Sequence, residues 1–216
     1  MRARKGINAF NAAMLGLMGI HAQRETFRDE DAIRVHPIIT KGGEIVNNVP
    51  ADVRMESYVR GKTVEAIKDA NTKVNRALRA GAMSVGAEVE IDDHPGYMPY
   101  IKDAKLDEVL KANAVALVED DQIKVKGHST GSTDLGDVSC IMPTTSIGMG
   151  GCTGDAHGRS FKIIDKEIAY ILPAKVMALT CVDLLYDNAK LSKEIVKGFK
   201  PTILQDDYEG FMKLVA

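Results

Sequence analysis

The strongest constraint on the fold of this chain is a change of hydrophobic period between residues 53 and 78. From Val64 to Leu78 the apolar residues recur at helical spacing, which predicts an amphipathic helix that ends at Gly81 or Gly86. Just before it, apolar and polar residues alternate, which predicts a strand with one buried face. The inward positions of this strand are Val53, Met55, Ser57 and Val59, and the outward positions are Arg54, Glu56, Tyr58 and Arg60.

Segments on either side extend this strand and helix into a first domain over residues 1–95. Small and apolar residues from Ile7 to Ile20 predict a helix, and "AIRVHPIIT" (32–40) and "AEVEIDD" (87–93) predict two further strands. The order helix, strand, strand, helix, strand is that of a ferredoxin-like β-α-β-β-α-β unit without its first strand. A genuine three-stranded domain is an equally good interpretation of the same pattern.

The second half, residues 96–216, predicts part of an α/β layer that follows a linker around Pro95 and Pro99. We expect an amphipathic helix in "LDEVLKANAVALVED" (106–120), a short strand in "IKVKG" (123–127) and a buried strand in "CIMPTTSIGMGG" (140–151). Asp165 is a candidate cap for a helix whose regular part begins near Pro173. The fold class predicted for the whole chain is therefore α/β, or α+β.

Composition excludes several classes of partner. The chain has 28 basic and 30 acidic residues in 216, so no nucleic-acid-binding surface is expected. No apolar run approaches the roughly 20 residues that span a bilayer, so no membrane partner is expected. The basic N-terminal segment is not followed by a signal-peptide cleavage pattern. Three cysteines without metal-ligand spacing are typical of a reducing compartment, which predicts a cytoplasmic location.

Four short features carry candidate binding chemistry, and each has a plainer structural interpretation. "GSTDLGD" (131–137) is rich enough in Gly and Ser to approach a ligand, or it is a capped turn. Asn47 binds a ligand or adopts the left-handed conformation of a turn. Arg60 suits a carboxylate, although most arginines on a polar strand face are solvated. His157 alone is weak evidence for a metal site, which needs three or four ligands.

Taken together and in order, these features resemble one known family. The stretches "GINAFNAA", "IITKGGEIVNNVPADVRMESYVRG", "GSTDLGDVSCIMPT" and "AHGRSFKI" resemble the aminoacylase-like metallopeptidases, family twenty. The "STD-GDVS" form of the loop is typical of the branch that includes p-aminobenzoyl-glutamate hydrolase. The resemblance implies a catalytic domain with two metal ions, zinc or manganese, and an inserted ferredoxin-like lid through which two copies form a homodimer.

The resemblance also implies a role for individual residues. His157 matches the last metal ligand of the family, and Asn47 and Arg60 match residues that hold the carboxylate of the substrate. Gly131 and Ser132 match the loop that lines the substrate pocket, and Thr133 stands where many relatives have Glu. No residue of this chain matches a catalytic group.

The family's other metal ligands and its glutamate base have no match here, and neither has the first strand of the lid. We therefore expect a fragment or truncated form of a di-metal amidohydrolase, inactive by itself, whose parent enzyme cleaves N-acyl amino acids or dipeptides. A complementary N-terminal chain is one possible source of the missing ligands. The alternative is a catalytically dead lid module that serves dimerisation or partner binding.

Overall fold

A computed structural model describes residues 6–119, 122–124, 127 and 131–215 of the chain. These residues form two compact units. The first ends at Pro99 and also includes the residues from Met212 onward, and the second is Tyr100–Phe211. Both units mix helix and sheet. The assignment of a lid and a partial catalytic domain, with a ferredoxin-like lid fold, stays a prediction.

The first unit is built on an antiparallel hairpin. Strand β1 (Arg34–Lys41) pairs with β2 (Arg54–Arg60) in a register that sets Val35 opposite Val59. Val35 is buried and joins Ile20, Val74 and Ala77 in the core of this unit. The opposite face of the hairpin carries exposed side chains such as Ile38 and Tyr58. Val53, Met55 and Val59 are half-buried and Arg54, Glu56 and Tyr58 are exposed, as the alternation predicts. Ser57, predicted to face inward, is exposed, and Arg60, predicted to face outward, is half-buried.

Two helices cover the inner face of the hairpin. Helix α1 (Ala9–Ala22) begins two residues later than predicted, because the Asn8 side chain caps it by accepting hydrogen bonds from the amides of Phe10 (3.0 Å) and Asn11 (3.2 Å). Helix α2 (Val64–Ser84) is capped by Thr63 in the same way, and it ends between the two glycines that the sequence suggested. Short 3-10 turns at Arg24–Thr26 and Asp29–Asp31 lead from α1 to β1.

Close packing of α1 against α2 depends on glycine. A Cβ atom added at Gly81 of α2 would lie 2.7 Å from both the carbonyl oxygen of Ala12 and the Cα atom of Gly16, and it would also collide with the Gly16 amide nitrogen. Gly19 of α1 likewise faces Ala77, at 3.1 Å from its Cβ atom. The two helix backbones touch here without intervening side chains, which allows both helices to reach the same strand face.

The predicted strand at residues 87–93 is not formed. This segment has no strand pairing in the described part of the chain, because β1 and β2 pair with each other alone in their sheet. A strand is stable only beside a partner edge that satisfies its backbone groups. Asp93 is instead tied to α2, where its Oδ2 atom accepts hydrogen bonds from the side-chain amides of Asn71 (3.0 Å) and Asn75 (2.6 Å).

The second unit contains mostly helices. Helix α3 (Ala104–Val115) begins two residues before the predicted segment, because Asp103 caps it by accepting a hydrogen bond from the Leu106 amide at 2.9 Å. Helix α4 (Leu135–Ile141) occupies the start of the segment predicted as a buried strand, so that prediction is wrong. Thr133 and Asp134 open the helix, and Met142 is extended because Pro143 follows it. The predicted strand at 123–127 lies partly outside the described residues.

A small hairpin, a long helix and the first residues of a further helix complete this unit. Strands β3 (Cys152–Thr153) and β4 (Lys162–Ile163) pair antiparallel, and helix α5 (Leu172–Gly198) follows a π-helical turn at Glu167–Ile171. Asp165 caps that turn as predicted, since its Oδ1 atom accepts from the Ile168 amide at 3.0 Å. Helix α5 is broken at Tyr186–Ala189, and a 3-10 turn (Gln205–Asp207) leads into α6 (Tyr208–Val215).

One helical stretch of the described chain, Glu167–Gly198, is long and apolar enough to cross a bilayer by length and composition. The sequence did not predict such a segment, because Lys175 and Asp183 interrupt its apolar residues. The core helix of a water-soluble protein meets the same criterion. The expectation that the chain has no membrane partner therefore stays a prediction.

The contact between α1 and α2 predicts the effect of a single added methyl group. We expect Gly81→Ala to lower the free energy of unfolding by about 1–3 kcal/mol, because the new Cβ atom collides with the backbone of α1. Gly210→Ala in α6 is the matched control, since nothing lies within 4 Å of its added Cβ atom. That variant should be neutral or more stable by up to about 1 kcal/mol. Urea titrations of both variants test the difference, and equal stability of Gly81→Ala and wild type would contradict this packing.

Candidate functional site

Arg60 lies on the open face of the first unit, at the last position of β2. Its guanidinium carbon sits 5.3 Å from the centre of the Tyr58 ring, which is within the range of a cation–π contact. Residues two apart on a strand share a face, so this contact runs along the outer side of the hairpin. The side chain is half-buried and has no ion-pair partner among the described residues. Its N–H groups are therefore available to an anion.

Asn47 lies in the loop that connects β1 to β2 and is exposed. It lies in a turn closed by the hydrogen bond from the Asn48 amide to the Ile45 carbonyl (3.2 Å), and it does not adopt the left-handed conformation that was one alternative. The later part of the loop is fixed near the start of α1, where the Ala9 amide donates to the Pro50 carbonyl at 3.0 Å. Arg60 is at the other end of β2, and seven strand residues span roughly 20 Å. Asn47 and Arg60 stay predicted contacts of the substrate carboxylate.

The segment with Gly131 and Ser132 belongs to the second unit, and both residues are exposed. It leads into α4, so the part "TDLGD" is a helix start and not an open binding loop. The neighbouring residues 128–130, with His128, lie outside the described residues. Gly131 and Ser132 stay predicted pocket residues.

Asp137 of the same motif takes part in internal contacts of the second unit. Its carboxylate, after burial, is the second cause that raises the pKa of the Cys140 thiol. Tyr208 has a raised pKa for the same reasons, with burial the larger cause and the charge and hydrogen bond of Asp137 next. The carboxylate therefore links α4 to α6 and is not a free catalytic group.

His157 lies in the loop of the β3–β4 hairpin. The loop closes through hydrogen bonds from the Gly158 amide to the Asp155 carbonyl (2.8 Å) and from the Asp155 amide to the Ser160 hydroxyl (3.1 Å). His157 is exposed and has a positive φ of 64°. Histidine tolerates this conformation better than most residues, but glycine is the residue that suits it. An imidazole is thus held outward at some cost in backbone energy, as is common at functional positions.

The described residues do not by themselves fit a metal centre. Nowhere in that part of the chain do three His, Cys, Asp or Glu side chains converge on a position that suits an ion. His157 offers a single ligand, whereas protein zinc sites use three or four. Arg60 and Asn47 belong to the first unit and Gly131, Ser132 and His157 to the second, so each group is described within its own unit.

Two known proteins are similar in sequence to this chain, and both are dipeptidases. The chain is 26% identical over 210 residues to the Xaa-Arg dipeptidase of Mus musculus. The aligned region covers 91% of this chain and 47% of that protein. It is 24% identical over 215 residues to the Xaa-Arg dipeptidase of Homo sapiens, with 94% and 48% covered.

The chain is similar to dipeptidases. It spans about half the length of the curated relatives it matches. No protein-family model matches it. These relatives support the peptidase character inferred from the sequence motifs, and they leave the p-aminobenzoyl-glutamate branch as a prediction.

The positive φ of His157 predicts how a glycine at this position changes stability. His157→Gly should raise the free energy of unfolding, by up to about 1 kcal/mol, because glycine removes the cost of a positive φ. Ala189→Gly, at a φ of 58°, is the matched control for the relief of strain. Thermal unfolding of both variants provides the measurement. A loss of stability in His157→Gly alone would show that the imidazole makes stabilising contacts, and would remove the argument from strain.

Proposed function

We propose that this chain provides substrate-binding and metal-ligand residues to a dipeptidase-like amidohydrolase that cleaves N-acyl amino acids or dipeptides. The relatives support a dipeptidase-like peptidase function at the level of reaction class. The single observation that carries the proposal is Arg60, an arginine without an ion-pair partner in the described chain, stacked on Tyr58 on an open sheet face. Peptide and N-acyl amino acid substrates end in a carboxylate, which is the group that arginine binds best.

Arg60 would orient the substrate by donating hydrogen bonds to this carboxylate, and orientation of the scissile amide is a large part of catalysis. Asn47 keeps its predicted role as a second residue that holds the substrate carboxylate. Gly131 and Ser132 would line the pocket on the second unit. No described residue is proposed as a catalytic acid or base.

The complete enzyme, in this proposal, uses two divalent ions, zinc or manganese. Such ions polarise the scissile carbonyl and activate water in amide hydrolysis. His157 is the one ligand that this chain is proposed to supply. The remaining ligands and the general base would come from a segment that corresponds to the unmatched half of the dipeptidases.

Helix α5 is consistent with such a second segment. Val176 and Thr180 face the interior of their unit, whereas Val182 and Leu185 are 61% and 70% exposed. Apolar surface of this extent is typical of a face that another segment covers. We propose that the other half of the enzyme packs here, that the assembled protein is cytoplasmic, and that its substrates resemble those of the p-aminobenzoyl-glutamate branch.

The proposed function is tested with an enzyme completed by the other half. We expect the 216-residue chain alone to be inactive with zinc, manganese or cobalt on a panel of dipeptides and N-acyl amino acids. In the completed enzyme, Arg60→Ala should reduce kcat/KM for carboxylate substrates by roughly tenfold to a hundredfold, since one charge-assisted hydrogen bond is lost. Stability should change little because the side chain lies on the outer face.

Arg54→Ala is the matched control for this experiment, since Arg54 lies on the same strand and pairs with Asp52. An unfolded Arg60→Ala protein with normal kinetics in its folded fraction would make Arg60 a structural residue. Absence of any peptidase or amidase activity in the completed enzyme would overturn the proposed function itself.

Dimerisation is proposed for both the enzyme and the alternative, a dead lid module. Helix α1 exposes Met14, Leu15 and Met18, and we propose this face, with the edge of strand β1 that does not pair with β2, as the interface between two copies. We expect a dimer at micromolar concentration and a monomer for Met18→Glu. Met83→Glu, at an exposed position of α2, should stay dimeric. Light scattering distinguishes these states, and a monomeric wild-type chain would exclude the interface.

A further inference from the structure

Two arginines face each other across the β1–β2 hairpin. The register sets Arg34 opposite Arg60 and His36 opposite Tyr58. Directly opposed residues of an antiparallel pair point to the same face, with Cβ atoms about 4.5–5.5 Å apart. Arg34, His36, Tyr58 and Arg60 therefore form one surface, called here the arginine face, on the side of the hairpin away from the helices.

The charge of the arginine face is not balanced within the described chain. Like charges directly opposite each other destabilise a strand pair. Four other basic residues of this unit have acidic partners: Arg28 binds Asp31, Lys41 and Arg54 bind Asp52, and Lys73 binds Asp69. Neither Arg34 nor Arg60 has such a partner among the described residues. Glu56, the acid on the same side, stands opposite Ile38 and makes no ion pair there.

Tyr58 prepares this surface for a ligand. Its ring supports the Arg60 guanidinium at 5.3 Å, which leaves the N–H edges of that group free. An arginine that is already stacked loses less conformational freedom when it binds an anion. The neighbouring Arg34 is exposed and able to move toward the same ligand.

We propose that Arg34 and Arg60 together bind an oxyanion group that carries two negative charges. One carboxylate would leave one of the two positive charges unpaired, whereas a dianion compensates both. A dicarboxylate and a phosphate monoester share this chemistry. The inference rests on the proposed function in that it gives the carboxylate partner of Arg60 a second binding residue and a charge preference.

The test is a binding titration of the whole chain by calorimetry in low-chloride buffer. Glutarate, inorganic phosphate and acetate are the probes. We expect glutarate or phosphate to bind about tenfold or more tightly than acetate, and Arg34→Gln to remove this preference. Arg54→Gln should bind all three probes like wild type. The better probe of the two dianions identifies the source of the ligand.

A second readout separates binding from a structural role. Without a ligand, Arg34→Gln should unfold at the same or a higher urea concentration than wild type, because the opposed like charges are gone. Loss of stability would assign Arg34 a structural role and overturn the inference. Equal affinity of wild type and Arg34→Gln for every probe, or no binding of dianions by wild type, would overturn it as well.

The outcomes also separate this inference from the proposed function. Dianion binding that requires Arg34, in a completed enzyme without peptidase or amidase activity, contradicts the proposed function alone. Hydrolysis of dipeptides with no dependence on Arg34 and no preference for a second negative charge contradicts the two-arginine site alone.

Discussion

The contact between α1 and α2 determines which side of the first unit remains open. Because Gly81 lets the backbones of the two helices touch, both helices fit over one face of a hairpin that is only two strands wide. Val35 and Val59 then join the core from the inner face of the hairpin. Their neighbours along each strand point outward. The position of Arg60 on an open surface follows from this packing.

The spacing of apolar residues predicted the elements that bury one apolar face against the rest of their unit. Helices α1, α2 and α3 and strands β1 and β2 all occur where the alternation or the helical spacing placed them. The strand at 87–93 has the same kind of pattern and still does not form, because a strand also needs an edge with which to pair. The apolar segment 140–151 predicts a buried strand, but a helix that begins after Thr133 and Asp134 extends into it. Helix-start residues are the signal that would have corrected this prediction.

The candidate site was predictable one residue at a time but not as an arrangement. Alternation put Arg60 on the polar face, and the resemblance to a family attached a role to it. The opposition of Arg34 and Arg60 depends on the register of two strands, which neither strand encodes alone. The positive φ of His157 is likewise a property of the folded hairpin loop.

In the function proposed for this chain, anion binding needs the residues of one hairpin only, whereas catalysis needs residues from other segments as well. An arginine face can hold an anion with residues of one hairpin, because charge and hydrogen bonds act between few groups. Hydrolysis of an amide needs ions, a base and water in fixed positions, which takes ligands from several elements at once. The described residues provide the first kind of site in the hairpin and only His157 toward the second. In the proposed enzyme, the exposed apolar side of α5 would support the segment that holds the other ligands, since a metal site requires rigid elements behind each ligand.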